Sequence, residues 1–277
     1  MNIIFTTVED QLDVVRQAAT EGMVVLHPSS SSYFIIEEIT GAKPKTNYWV
    51  CGVVTPKGMC VEMAMVLGGY TPQNTAPDPG DFRACWVIEN GRFASGEKLS
   101  ELLNRMTPTD VYIKGVNALD PQGNVGVLVG HQGSMGYILS AWRKTKFNLI
   151  YPVGLEKLIP TPIPQATGEA KPAKYDYAMG MPTGLFPCPG GKTVNELDAV
   201  EILSGATAIP IAAGGLGGAE GAITLVIKGN DDQVKKAIEY IEQSKGARFP
   251  PLRLCNCHDC SVPHCRFPVG DKHWALP

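Results

Sequence analysis

Short apolar runs that break into hydroxyl- or glycine-rich turns, and then into helix, constrain this chain more than any other feature. Met23-Val24-Val25-Leu26 is too short for a helix and too apolar for a surface, and Ser29-Ser30-Ser31-Ser32 follows it. Phe34-Ile35-Ile36-Glu37-Glu38-Ile39 then reads as a helix stopped by Gly41. Strand, polar turn, helix is the grammar of an α/β fold. Val8, Leu12, Val15 and Ala19 predict a preceding helix, opened by the capping-box pair Thr6 and Glu9 and closed by Gly22. Strands are expected at 48–54 and 84–88, the latter ending at the turn pair Asn90-Gly91. A helix over 99–106, strands at 111–113 and 125–129, a helix from the 130–136 turn to about Lys144, and a strand at 149–151 continue the alternation.

Prolines 160, 162, 164, 172, 182, 187 and 189 then interrupt it. Such a stretch suits neither helix interior nor central strand, because each proline lacks an N–H. It reads as a linker or a wrapped arm. Beyond it, Thr193 and Glu196 have capping-box spacing, and Leu197, Val200, Ile202 and Leu203 predict a helix ending at Gly205. Strands at 207–212 and 222–227 flank the glycine-rich turn 214–221, and a helix over 231–244 is closed by Gly246. The fold class is therefore α/β, with four parts. A layered, mostly parallel sheet lobe spans 1–160, a Pro-rich connection 161–192, a small α+β lobe 193–249, and a Cys/His-rich metal-binding tail 250–277.

The chain has 277 residues, 44% hydrophobic and 18% charged, enough for a sizeable core. Its formal charge of −3 provides no basic surface, so nucleic acid is not an expected partner. No apolar run approaches the roughly 20 residues of a membrane helix. The first residues lack the basic flank of a signal peptide, and the expected location is cytoplasmic.

In a reducing compartment, eight cysteines call for an explanation other than disulfides. Cys51, Cys60, Cys85 and Cys188 are scattered and read as small buried hydrophobes. Cys188, between Pro187 and Pro189, is also a candidate metal ligand or nucleophile. Cys255, Cys257, Cys260 and Cys265 are clustered as C-x-C-x2-C-x4-C, with His258 and His264 as alternative ligands. Four thiolates satisfy a tetrahedral zinc ion, the expected cofactor. An iron–sulfur cluster is the alternative. The reading without metal is a reduced, tightly turned tail docked on the body.

Lys114 and Asn117 follow the 111–113 strand, where α/β sheets build ligand sites at carboxyl ends. Gly130, His131, Gly133, Ser134 and Gly136 form a second such turn, opening a helix whose free amides favour an anion. His131 is a candidate proton donor or acceptor and Ser134 a hydroxyl donor. The bland alternative is a turn whose glycines only permit close packing. The serines at 29–32 supply either a third wall or a helix cap. Glu220, the one charge in the 214–221 turn, is a candidate base or nucleophile, or else a solvated hairpin tip.

Over 114–120 and 125–136 the sequence resembles the superfamily that groups CoA-transferases, ribose-5-phosphate isomerase and the lactate-utilisation (LUD) domain. The resemblance covers residues 1–160. It implies strand ends that bind phosphate, carboxylate or CoA-like ligands, with Lys114, Asn117 and the 130–136 turn nearest the substrate. The CoA-transferase glutamate motif is absent in its usual form, since the neighbours of Glu220 do not match it. The expected function is a metabolic enzyme, an isomerase, transferase or hydrolase, acting on a small phosphate-, carboxylate- or CoA-bearing metabolite and carrying a C-terminal metal site. The alternative is a ligand-sensing or oligomeric assembly module with a structural zinc knot. A homo-oligomer is expected under both.

Overall fold

The computed structural model describes residues 13–42, 54, 79–129, 133–171, 175 and 182–249. The helix cap expected at Thr6 and Glu9 and the tail expected to bind metal lie outside them, as does all but Val54 of the strand expected at 48–54. The chain folds as a mixed α/β structure. Its strands are β1 (Met23–Leu26), β2 (Trp86–Glu89), β3 (Arg92–Ser95), β4 (Val111–Ile113), β5 (Ala118–Leu119), β6 (Val125–Val129), β7 (Asn148–Pro152), β8 (Gly184–Pro187), β9 (Lys192–Val194), β10 (Thr207–Ala213) and β11 (Ile223–Lys228). Its helices are α1 (Asp13–Glu21), α2 (Ser30–Thr40), α3 (Leu99–Arg105), α4 (Met135–Thr145), α5 (Ile163–Glu169), α6 (Glu196–Ser204) and α7 (Asp231–Ser244).

Six strands form the central sheet in the order β3-β2-β1-β4-β7-β9. The pairings of β1 with β4, β4 with β7 and β7 with β9 are parallel, while β1–β2 and β2–β3 are antiparallel. Asn90 and Gly91, both at positive φ, make the β2–β3 turn that their sequence signals. The 125–129 strand lies elsewhere: β6 is the middle of a separate antiparallel sheet, β5-β6-β8.

Local chemistry sets the helix ends. The Ser29 hydroxyl accepts from the Ser32 amide at the start of α2, and Gly41 closes that helix at φ 66°. At α6 the cap is one step beyond the expected pair. Asn195 accepts from the amides of Leu197 and Asp198, and Asp198 returns a bond to Asn195, so Thr193 and Glu196 do not form the box. Thr193 instead lies in β9. The proline-rich connection is also corrected, because it contains both α5 and β8. Pro164 sits in the first turn of α5, where no intrahelical N–H is required, and β8 is an edge strand.

The side chains of each strand alternate between two faces. Val24, Leu26, Val111, Ile113, Ile150 and Val194 pack under α1, α2 and α6. Met23, Val25, Val87, Tyr112, Leu149 and Tyr151 pack under α3, α4 and the three-stranded sheet. The segment past 192 shares this architecture. β9 is hydrogen-bonded to β7, and Ala199, Val200, Leu203, Ala208 and Ala237 belong to the same core as β1 and β4. The expected boundary at 192–193 thus falls inside a sheet strand.

Candidate functional site

The site begins with two residues that prolong their strands by one step. The His27 amide donates to the Ile113 carbonyl at 2.9 Å, and the Lys114 amide donates to the Ile150 carbonyl at 2.9 Å. Each is therefore in register with β1 or β4. Two-residue alternation puts His27 on the face of Met23 and Val25, and Lys114 on the face of Tyr112. Both side chains thus stand at the carboxyl end of parallel strands, on the face covered by α4.

The resulting cluster is buried and polar. His27 is 1% exposed, and its Nδ1 lies 2.8 Å from the Tyr112 hydroxyl. Its Nε2 lies 3.3 Å from Ser134 Oγ. Cys85 Sγ is 3.8 Å from both His27 Nδ1 and the Tyr112 hydroxyl, and the Phe82 ring stacks on the imidazole at 5.0 Å. Burial, then the charge of Lys114, hold the His27 pKa well below its usual value. Burial pushes the thiols of Cys85 and Cys188 up to about 12, against the pull of Lys114 on each. Both cysteines are free and buried, as their scattered placement predicts.

Lys114 is 5% exposed, yet no hydrogen bond or ion pair satisfies its ammonium among the described residues. The buried carboxylates have other work. Asp110 accepts from the amides of Met23 and Thr107 and from the Thr107 hydroxyl. Asp120 accepts from the amides of Ile163, Asn124 and Gln122 and from the Asn124 side chain. A buried charge without a counter-charge costs several kcal/mol. An anion at this place would offset that cost.

A second charged group, at the ends of β7 and β9, is self-compensating. Lys157 stands beside Glu156 and Glu196, and Glu196 Oε2 accepts from the Leu155 amide at 2.8 Å. An open cleft of about 310 Å³ surrounds the start of β7. It is lined by Trp142, Asn148 and the exposed Lys146 and Lys192, with no acid–base pair among the described residues.

Of the residues expected from sequence, Lys114 and Ser134 fall in the cluster. Asn117 instead fastens its loop to β6: its amide donates to the Gly126 carbonyl and its Oδ1 accepts from the Leu128 amide. Gly133 makes room for Val129, since a Cβ there would come within 2.6 Å of Val129 Cγ1, and Gly136 is exposed in the first turn of α4. Gly130 and His131 lie outside the described residues. Glu220 is in solvent at the β10–β11 turn, held below its usual pKa by its own amide and that of Gly218. It is not brought to Lys114. Ser29 and Ser32 are capping residues: Ser29 receives the Ser32 amide, and the Ser32 hydroxyl donates to the His27 carbonyl.

His27, Tyr112 and Cys85 are the members that sequence reasoning missed. The signal was the strand period itself. Counting on by two from Val25 and Tyr112 places His27 and Lys114 on one face. Among the described residues, no group of three or more His, Cys, Asp or Glu side chains is arranged to hold a metal. No family model matches this chain, and none of the curated proteins or solved structures compared with it matches.

Proposed function

We propose that this chain is a metabolic enzyme, an isomerase, transferase or hydrolase, that binds a small phosphate-, carboxylate- or CoA-bearing substrate at the carboxyl ends of β1 and β4. Lys114 holds the anion and His27 moves protons beside it. The observation that carries this reading is a lysine 5% exposed with no counter-charge among the described residues. The resemblance over 114–120 and 125–136 to the superfamily of CoA-transferases, ribose-5-phosphate isomerase and the LUD domain supports the same ligand class. Calorimetric titration of the full chain with inorganic phosphate and with malonate tests it. Binding of at least one is expected, weakened about 10- to 150-fold in Lys114→Met, as loss of one charge-assisted hydrogen bond implies. Unchanged binding in Lys114→Met would refute it.

The Cys/His segment at 255–265 is proposed to hold zinc, on its spacing alone. A second reading, an oligomeric assembly module, is favoured by one feature. Ile211 is 62% exposed and Leu216 90% exposed on the β10–β11 hairpin. Light scattering that gives a monomer would count against it.

A further inference from the structure

We propose that Ser134 is a nucleophile activated by His27, which makes this an acyl-transfer centre for an anionic ester or thioester. The inference rests on the anion-binding reading for its substrate class but not for its chemistry. Ser134 occupies the N-cap position of α4, yet its hydroxyl makes no capping bond. It lies instead 3.3 Å from Nε2 of a histidine 107 residues away in sequence. A nucleophile and base within such reach, with the base oriented by a third group, is the arrangement that activates a weak hydroxyl. Here Tyr112, at 2.8 Å, and the stacked Phe82 fix the imidazole.

The protons can be placed. For Nε2 to accept from Ser134, Nδ1 must carry the ring proton and donate it to the Tyr112 oxygen. The Tyr112 hydroxyl then directs its own proton elsewhere, and Cys85 Sγ stands 3.8 Å from it. Burial and the Lys114 charge keep His27 neutral at neutral pH, the state a base requires. The competing nucleophiles are excluded by their surroundings. Cys85 and Cys188 stay protonated, with pKa values of about 12. Ser29 and Ser32 are engaged in the α2 cap, whereas Ser134 is half-buried and within reach of a substrate. The amides of Met135 and Gly136 donate to no acceptor among the described residues. They lie at the positive end of α4, next to the attacking oxygen, where an oxyanion needs donors.

In the first half-reaction Ser134 Oγ bonds to the acyl carbon and its proton passes to His27 Nε2. The bond to the leaving alkoxide or thiolate breaks, and that group takes the proton from Nε2. Water then attacks the acyl-serine, giving its proton to Nε2. The Ser134 oxygen departs and recovers that proton, so an ester or thioester and water become an acid and an alcohol or thiol. Lys114 selects substrates that carry a further negative group.

The test is labelling of the full chain with an uncharged alkyl fluorophosphonate, read by intact mass and peptide mapping. An adduct on Ser134 is expected, absent in Ser134→Ala and formed about 100-fold or more slowly in His27→Gln. Phosphate titration of the same unlabelled wild-type chain is scored apart from the labelling, which separates this proposal from the anion-binding reading: a Ser134 adduct in a protein that does not bind phosphate would refute only the latter. The wild-type labelling rate should also plateau by pH 7, because His27 titrates well below its usual range. No Ser134 adduct in a protein that binds phosphate would overturn the proposal. So would an unchanged rate in His27→Gln, or a wild-type rate still climbing steeply between about pH 7 and 9.

Discussion

Lys114→Met should make the anion-free protein more stable. Methionine keeps the length and apolar bulk of the lysine stem and removes only the ammonium. Lys114 as a whole is 5% exposed and its ammonium is unpaired among the described residues, while Asp110 and Asp120 are committed to backbone amides. Replacing buried ionic groups by apolar ones of similar volume is commonly neutral to stabilising, by up to about 4 kcal/mol. We expect a gain of about 1–3 kcal/mol, since the lysine keeps some contact with solvent. At about 2–4 °C per kcal/mol, this raises Tm by about 2–12 °C. A ligand at 100 times its Kd stabilises the wild type by about 2.7 kcal/mol and the variant, with its affinity weakened about 10- to 150-fold, by only about 0.3–1.4 kcal/mol. Scanning calorimetry in phosphate-free buffer, repeated with phosphate at about 100 times the wild-type Kd, should therefore show the Tm gap narrow or invert. A variant destabilised by about 2 kcal/mol or more without anion would refute the reasoning, because it would mean that Lys114 already has a structural partner.

Three further outcomes are expected. Gly115→Ala should cost about 1–3 kcal/mol by chemical denaturation, because its Cβ would come within 2.6 Å of Ser29 Oγ and force apart the turns that follow β1 and β4. Stability should fall as pH drops below about 4 and should fall less in Asp120→Asn. Burial works against the Asp120 charge, but the Ile163, Asn124 and Gln122 donors hold its pKa below the unfolded value. Its contribution is thus present above that value and lost as the carboxyl protonates. Elemental analysis with an absorption spectrum on protein purified without oxygen should find one zinc per chain and no visible band. A broad visible band would assign iron–sulfur, and no metal would remove the proposal for 255–265.

The parts of the fold legible in the sequence were those written by local chemistry. Ser29 and Gly41 bound α2, Asn90-Gly91 turns the β2–β3 hairpin, and the strand–strand–helix order after 205 is present as expected. Long-range pairing was not legible. Nothing around Lys192 announces that β9 will lie beside β7, because a three-residue strand carries too little pattern to name its neighbour. The cap of α6 was misplaced for a related reason: Thr193 and Asn195 both suit a cap, and the pairing of Thr193 with Tyr151 decides between them. In the site, Lys114 and Ser134 were visible because they follow apolar strands in polar turns. His27 was hidden as a single residue between Leu26 and Pro28, and it acquires meaning only when β1 and β4 are laid side by side. Glu220 drew attention through its glycine neighbours, which serve the exposed β10–β11 turn instead.

The most direct measurement is a crystal of the full chain soaked in tungstate, with the anomalous signal locating the oxyanion. The expected result is a peak within hydrogen-bonding distance of Lys114 Nζ, absent in Lys114→Met. Peaks confined to the exposed lysines of the cleft, Lys146 and Lys192, or no peak at all, would contradict an anion site at the ends of β1 and β4.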